Sequence, residues 1–422
     1  MTEVLIRGVM VITLRRIGLS FIFVFTVALF VFFVLFDTYT WGKFVFLGLT
    51  ICILLLGIGI NNWRIRFRVS PYIAFNALFI GFTLMSSLWA IDATDSIIMA
   101  RTLLRIFVCA YAVFITYLSI PEFDETVLLK AVMWAGYFIA LYSLFFYGLD
   151  RMLYAGSNSS MRLENAFSNI NDIGLACALS CVIQINICNL RSMDRFFPSA
   201  LLMIPSIVVI AATQSRKALV FLMAGVLGHV FVKAQQTNKN LFYKISKIFF
   251  GVLLLGGIAY LFLQLGIFDG IRERMEEMLN AVIGNGVVDS STMKRNQMKS
   301  LGLAWFLKYP VCGIGIANPH ILAAQYLSFD AYLHDNFVEL LCGGGIVGFA
   351  LYYSIYVYLF IQFWKYRSIV PQKVVFFTVW LGMMLAMDYG MVSYYSKPEN
   401  FYFMIHFVAV FHWKRRAASN GN

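Results

Sequence analysis

Three groups of side chains in this 422-residue chain stand where charge or a proton would be useful and where chance placement is expensive. Arg101 and Arg105 lie four residues apart in an otherwise apolar run, so a helix would carry both on one face. An ionisable group inside an apolar span costs ~2.5 kcal/mol or more and marks a functional position by default. Guanidinium forks grip phosphate oxygens in bidentate fashion, so this pair suits an anionic ligand. The plainer alternative is that the two arginines pair with Asp95, Asp388 or Glu339, or reach back to the membrane surface.

The second group, Ala212-Thr213-Gln214-Ser215-Arg216-Lys217, interrupts a largely apolar stretch from Phe197 to Ala234. With Lys217 at the start of a helix, free N–H groups and the positive end of the helix dipole converge on Arg216 and Lys217. Two cations and a dipole make an anion site; the alternative is an interfacial anchor. The third group runs from Tyr332 through His334, Asp335, Asn336 and Glu339 to the glycines of Gly343–Gly348. An imidazole moves its proton near neutral pH, which makes His334 the candidate general base. The alternatives are a structural histidine and a glycine run that only permits close helix packing.

The elements that must hold these residues follow from composition. The chain is 61% hydrophobic and 13% charged, where an average soluble domain carries about 25% charge. That leaves too little polar surface to cover a water-soluble fold of this length, which excludes a soluble enzyme, a disordered tail protein and a secreted disulfide scaffold. Seven cysteines sit mostly in apolar runs, without a CxxC pair, and read as small hydrophobes. The expected fold is all-α, a polytopic transmembrane bundle of about twelve spans, each of roughly 17–25 mainly apolar residues. They are read at 17–36, 43–60, 71–90, 97–120, 127–148, 173–190, 197–213, 217–234, 246–265, 336–363, 374–391 and 400–413. The first is longer than a signal-peptide core and lacks an A-x-A site, so it reads as a retained span. The seventh and eighth are candidates for a broken or re-entrant pair.

The net charge of +12 is mostly topology. With the N-terminus in the cytoplasm, the inner segments hold Arg64, Arg66 and Arg68, Lys239, Lys244 and Lys247, and Lys414, Arg415 and Arg416, and both termini lie inside. Residues 1–265 then form spans one to nine. Residues 266–335 form one large outer, periplasmic loop. Residues 336–422 form the last three spans and a cytoplasmic tail, all in one integrated membrane domain. Within the loop, Ile271–Val282 and Thr292–Tyr309 carry apolar residues near helical spacing, so two amphipathic helices are expected. Long ordered loops in compact proteins are usually functional.

Taken in order, these segments resemble the O-antigen ligase and polymerase family, integral-membrane glycosyltransferases of the GT-C type. The likeness covers the organisation of the chain and is sharpest in Arg162-Leu163-Glu164-Asn165-Ala166-Phe167-Ser168-Asn169-Ile170-Asn171-Asp172, which looks like the family's R-x-x-x-x-F-x-N-x-N stretch. It continues through Thr213-Gln214-Ser215-Arg216, then Arg295-Asn296-Gln297-Met298 leading to Tyr309-Pro310 and Gly313-Ile314-Gly315, and then His334 to Gly348. The family typically has His-Asn at the last element. Here His334 is followed by Asp335 and then Asn336.

The resemblance implies transfer of a glycan from an undecaprenyl-diphosphate-linked donor to an acceptor sugar hydroxyl on the periplasmic face of the bacterial inner membrane. By similarity Arg216 and Arg295 hold the donor diphosphate and His334 is the base; Arg101 and Arg105 join the donor set from the reading of their spacing. Lys217, Asp335, Asn336, Glu339, Arg162 and Asn171 are expected in support. The implied partners are the lipid-linked donor, an acceptor glycan (a lipid-linked repeat unit or lipid A–core), membrane lipids and a chain-length regulator. No cofactor, metal or nucleic acid is expected. The Lys308–Gly315 and His334–Leu341 stretches lean toward a polymerase of surface-polysaccharide repeat units, with an O-antigen ligase as the alternative. A lipid-linked glycan flippase or secondary transporter is the rival from another class. It suits twelve spans, Arg101, Arg105 and Asp388, but not the absence of visible repeats.

Overall fold

The computed structural model describes residues 18, 21–34, 42–60, 69–120, 123–159, 161, 163, 167–187, 193–235, 240–283, 290–328 and 330–420, and among them the regular structure is helical throughout. In chain order the helices are α1 (Phe21–Val34), α2 (Gly42–Ile60), α3 (Pro71–Ser86), α4 (Ala93–Ser119), α5 (Glu125–Tyr147), α6 (Leu149–Ser157), α7 (Ile170–Ile187) and α8 (Met193–Thr213). There follow α9 (Arg216–Gln235), α10 (Leu241–Leu263), α11 (Asp269–Ile283), α12 (Ser290–Lys308), α13 (Pro319–Leu327), α14 (Asn336–Tyr366), α15 (Pro371–Met387) and α16 (Lys397–Asn420). Among the described residues, five helices are long and apolar enough to cross a membrane: Ala93–Ser119, Glu125–Tyr147, Arg216–Ala234, Phe242–Leu263 and Asn336–Tyr366. Six shorter apolar helices accompany them, and the protein is a helical membrane protein.

The twelve apolar segments read from the sequence fall on α1–α5, α7–α10 and α14–α16, and the two amphipathic segments fall on α11 and α12. Two helices were not anticipated, α6 and α13, each of nine residues. Periodicity is read over a window of roughly 11–18 residues, and elements this short fall below it. Helix starts follow their local chemistry. Proline stands in the first turn of α3, α13 and α15, where its missing N–H is no loss. Asp124, Asn240 and Asp335 cap α5, α10 and α14 through their side-chain oxygens.

The chain divides into two compact units, residues 1–67 with 112–279, and residues 68–111 with 280–422. The first is organised around α7, which packs on α5, α8 and α9, while α6 packs on α8. Small residues allow this closeness: a Cβ added at Gly136 would lie 1.8 Å from the Ser180 hydroxyl. By contrast α10 carries no buried residue along its apolar length, with Phe249, Phe250, Leu253 and Leu254 all exposed. It packs on α9 along one side, and the apolar surface it leaves exposed has lipid as its natural solvent.

The second unit is organised around α14, which packs against α3, α12, α15 and α16. The expected continuous span at 336–363 is instead broken. Gly345 has φ 61° and ψ −163°, a conformation essentially confined to glycine. The backbone freed by the break is paired with the Pro310–Gly315 segment. Ile314 and Gly315 donate N–H groups to the Cys342 and Gly343 carbonyls at 3.0 and 2.9 Å. Ile346 and Val347 donate in return to Pro310 and Val311 at 2.8 and 3.1 Å. Irregular backbone at membrane depth is tolerated only where protein supplies such partners.

Candidate active site

His334 lies immediately before α14, half-buried, with φ 57°. A left-handed conformation at a non-glycine residue costs about 1–3 kcal/mol and persists only where its surroundings impose it. Four contacts impose it here. Leu333, fully buried, drops into a cluster with Met298, Ile314, Leu322, Val338 and Cys342. Burying a leucine side chain contributes roughly 1.5–3 kcal/mol, enough to fix the residue before the histidine. Its N–H donates to Glu339 Oε2 at 2.9 Å, so the first turn of α14 reaches back past its own cap. Asp335, 2% exposed, accepts at Oδ1 from the N–H groups of Phe337 and Val338. Its Oδ2 is 2.8 Å from Lys299 Nζ.

The fourth tether is Asn336, fully buried and fully used. Its Nδ2 donates to Tyr353 OH at 2.9 Å and to Asp388 Oδ2 at 3.3 Å, and its Oδ1 accepts from the N–H groups of Ser393 and Tyr394. The Asn336 N–H donates to the Asp388 carbonyl at 2.7 Å. Asp388 also takes hydroxyl donations from Tyr353 and Ser393. Asn336 and Asp388 thus bolt the segment between α15 and α16 to the start of α14. The His334 ring remains beside Tyr332, with centroids 4.3 Å apart.

The Gly313-Ile314-Gly315 stretch owes its place to the same unit. Gly313 has φ 66°, and an added Cβ would lie 2.5 Å from the Gly343 carbonyl group, so nothing larger fits the crossing with α14. On its other side the strap meets the corner between α3 and α4. Trp89 donates to the Cys312 carbonyl at 3.2 Å, and Asn318 accepts from the Asp92 N–H at 2.6 Å and donates to Ser96 Oγ at 3.1 Å.

The cations of this unit differ in their surroundings. Arg295 is exposed on α12, one turn before Lys299 on the same face, and pairs with no described residue. Arg101 and Arg105 are both exposed on α4 and likewise pair with no described residue. The acids considered as partners are occupied elsewhere: Asp95 faces His320 Nε2 at 3.4 Å, Glu339 holds Leu333, and Asp388 holds Asn336. The plain ion-pair reading of Arg101 and Arg105 therefore finds no support in these acids.

In the other unit, α8 ends and α9 begins around Gln214, which takes φ 50°. Its Nε2 is shared among the carbonyls of Ala155, Asn158 and Met161 at 2.6, 2.8 and 3.1 Å, tying the turn to the end of α6 and the chain beyond it. Ser215 Oγ accepts from the Ala218 N–H, capping α9. Arg216 is the first residue of α9, half-buried, and donates from Nη1 to the Arg274 carbonyl at 3.0 Å. Lys217 follows, half-buried, at the positive end of the helix dipole. Asn171 is the second residue of α7, its N–H bonded to Asn169 Oδ1 at 2.9 Å. Arg162 lies outside the described residues.

Sequence reading missed Lys299, Tyr389 and Asn318. The spacing Arg295–Lys299 put two cations on one helix face and was available as a signal. Tyr389 and Asn318 left none, because their partners lie 90 and 222 residues away. Among the described residues, no three or more His, Cys, Asp or Glu are grouped to hold a metal ion. The family model described as O-antigen ligase matches residues 201–353 and supports membership of the O-antigen ligase and polymerase family. The matched stretch runs from within α8 to within α14 and contains Arg216, Arg295 and His334. No curated protein matches the chain.

Proposed function

We propose that this chain is an inner-membrane glycosyltransferase that takes glycan from an undecaprenyl-diphosphate-linked donor and polymerises repeat units of a surface polysaccharide on the periplasmic face. The observation that carries the reading is the O-antigen ligase match, whose limits enclose two anion-suited arginines and a histidine held in a tethered turn. In this reading the acceptor hydroxyl oxygen attacks the anomeric carbon of the donor sugar. The bond from that carbon to the phosphate oxygen breaks, and undecaprenyl diphosphate leaves with the electron pair. His334 takes the hydroxyl proton. Arg216 and Arg295 hold the diphosphate and stabilise the charge that grows on it, with Arg101 and Arg105 as further cations for the same anion. Lys217 and the α9 dipole support Arg216, while Glu339, Asp335 and Asn336 support His334.

Electrostatic stabilisation of a leaving diphosphate is a large contribution to such transfers. General-base assistance contributes typically about 10²–10⁴-fold. Arg216→Ala is therefore expected to abolish polysaccharide synthesis at least as fully as His334→Ala when each variant complements a deletion strain at normal protein level. Near-normal polymer from Arg216→Ala would remove the donor assignment.

The ligase alternative has the family model's own description in its favour. The deletion strain separates the two. Loss of a polymerase leaves single repeat units on lipid A–core, and loss of a ligase leaves bare core and lipid-linked chains.

A further inference from the structure

Lys299 belongs to no group singled out by sequence, yet its ammonium is tied to Asp335, the residue that follows His334. Its ammonium lies 2.8 Å from Asp335 Oδ2, donates to the Tyr389 carbonyl at 3.0 Å, and sits 3.6 Å from the centre of the Tyr389 ring. Its side chain is 17% exposed and that of Asp335 only 3%. The carboxylate has no spare capacity either, since its other oxygen caps α14. The pair thus spends its charges on each other. Arg295, one turn earlier on the same face, is exposed and pairs with no described residue, so of these two neighbours on α12 one is turned outward and the other is consumed inside.

The consumed cation has electrostatic work to do. A negative charge on Asp335, adjacent in the chain to His334, would repel any diphosphate approaching the base, and repulsion at short range in a poorly solvated place is strong. Capping α14 needs an oxygen acceptor and not a charge, because asparagine caps as well as aspartate. We propose that Lys299 is a positioning residue whose charge cancels that of Asp335, so that the turn presenting His334 is electrically neutral toward a diphosphate-bearing donor. This rests on the glycosyltransferase reading.

The test is a charge cycle in a deletion strain, scored as high-molecular-weight surface polysaccharide per unit of protein in the membrane. Lys299→Met keeps the stem and removes the charge, and is expected to lower the yield about tenfold or more, because it strands a buried carboxylate. Adding Asp335→Asn to Lys299→Met is expected to restore the yield to that of Asp335→Asn alone. Lys299→Arg is expected to retain most of the yield. Because a purely structural pair would be rescued in the same way, the cycle is also read as the apparent KM for a lipid-diphosphate-linked donor in membrane vesicles. Lys299→Met is expected to raise it about tenfold with little change in kcat, and the double variant to restore it. An unchanged KM with a lowered kcat overturns the proposal. Wild-type yield from Lys299→Met overturns the proposal, as does a double variant as weak as Lys299→Met while accumulating normally. If Lys299→Met fails to accumulate, Lys299→Gln carries the same cycle. His334→Ala run in parallel separates the two levels: an active His334→Ala overturns the underlying reading whatever the pair does.

Discussion

A histidine is placed by its neighbours more than by itself. His334 occupies a left-handed conformation that the side chains of Asp335, Asn336 and Glu339, all following it in the chain, enforce. Glu339 is the one whose contribution isolates cleanly, through a single bond to the Leu333 N–H. Glu339→Gln keeps an oxygen acceptor and is expected to retain most activity. Glu339→Leu removes it, leaves the Leu333 N–H without that acceptor, and is expected to cut polysaccharide yield about tenfold, near the ~1–3 kcal/mol price of a stranded buried donor. Hydrogen exchange across peptides covering 328–340 should quicken in Glu339→Leu alone; equal exchange in both variants would remove the tether. The chemistry-bearing types were legible here, because His334, Asp335, Asn336 and Glu339 are crowded into six residues. Their division of labour was not. Asp335 and Asn336 both looked like partners of the histidine, and only the fold assigns one to Lys299 and the other to Asp388.

At the scale of elements, the apolar runs foretold the helices because burial and lipid exposure both favour unbroken hydrophobic stretches. The break in α14 escaped, since three glycines in a row read equally as close packing or as a kink. What decides it is the Pro310–Gly315 strap, whose hydrogen bonds are invisible to any window moving along one helix. Gly345→Ala is expected to destabilise the protein by about 1–3 kcal/mol. Its Cβ would lie 2.3 Å from the Val311 carbonyl oxygen, in a conformation alanine resists. Gly382→Ala in α15 meets nothing within 4 Å and serves as the control. Melting followed by fluorescence-detected gel filtration in detergent should show a lower midpoint for Gly345→Ala only. Equal midpoints would mean the break carries no strain. The apolar face expected of α12 is also redistributed. Met298 turns into the cluster with Leu333, while Leu303 and Leu307 stay exposed, because Gly302 brings α12 close to Leu333 and Val338.

For the whole molecule, composition was decisive early, and the placement of arginine and lysine sets an expectation for orientation. Alkaline phosphatase inserted after Gly286 is expected to be active, and green fluorescent protein fused to the C-terminus is expected to fluoresce. The opposite pattern would invert the molecule and move Arg295 and His334 to the wrong side for a lipid-linked periplasmic donor. The pairing of the strap with α14 reaches into biogenesis. Pro310–Gly315 is synthesised before Cys342–Val347, so the acceptors and donors that the break requires exist before the break itself emerges. A peptide group left bare in lipid costs several kcal/mol. Ribosomal order therefore supplies a chaperone in cis, and a gene split between Gly315 and His334, with its halves produced in reverse sequence, would ask α14 to enter the bilayer without it.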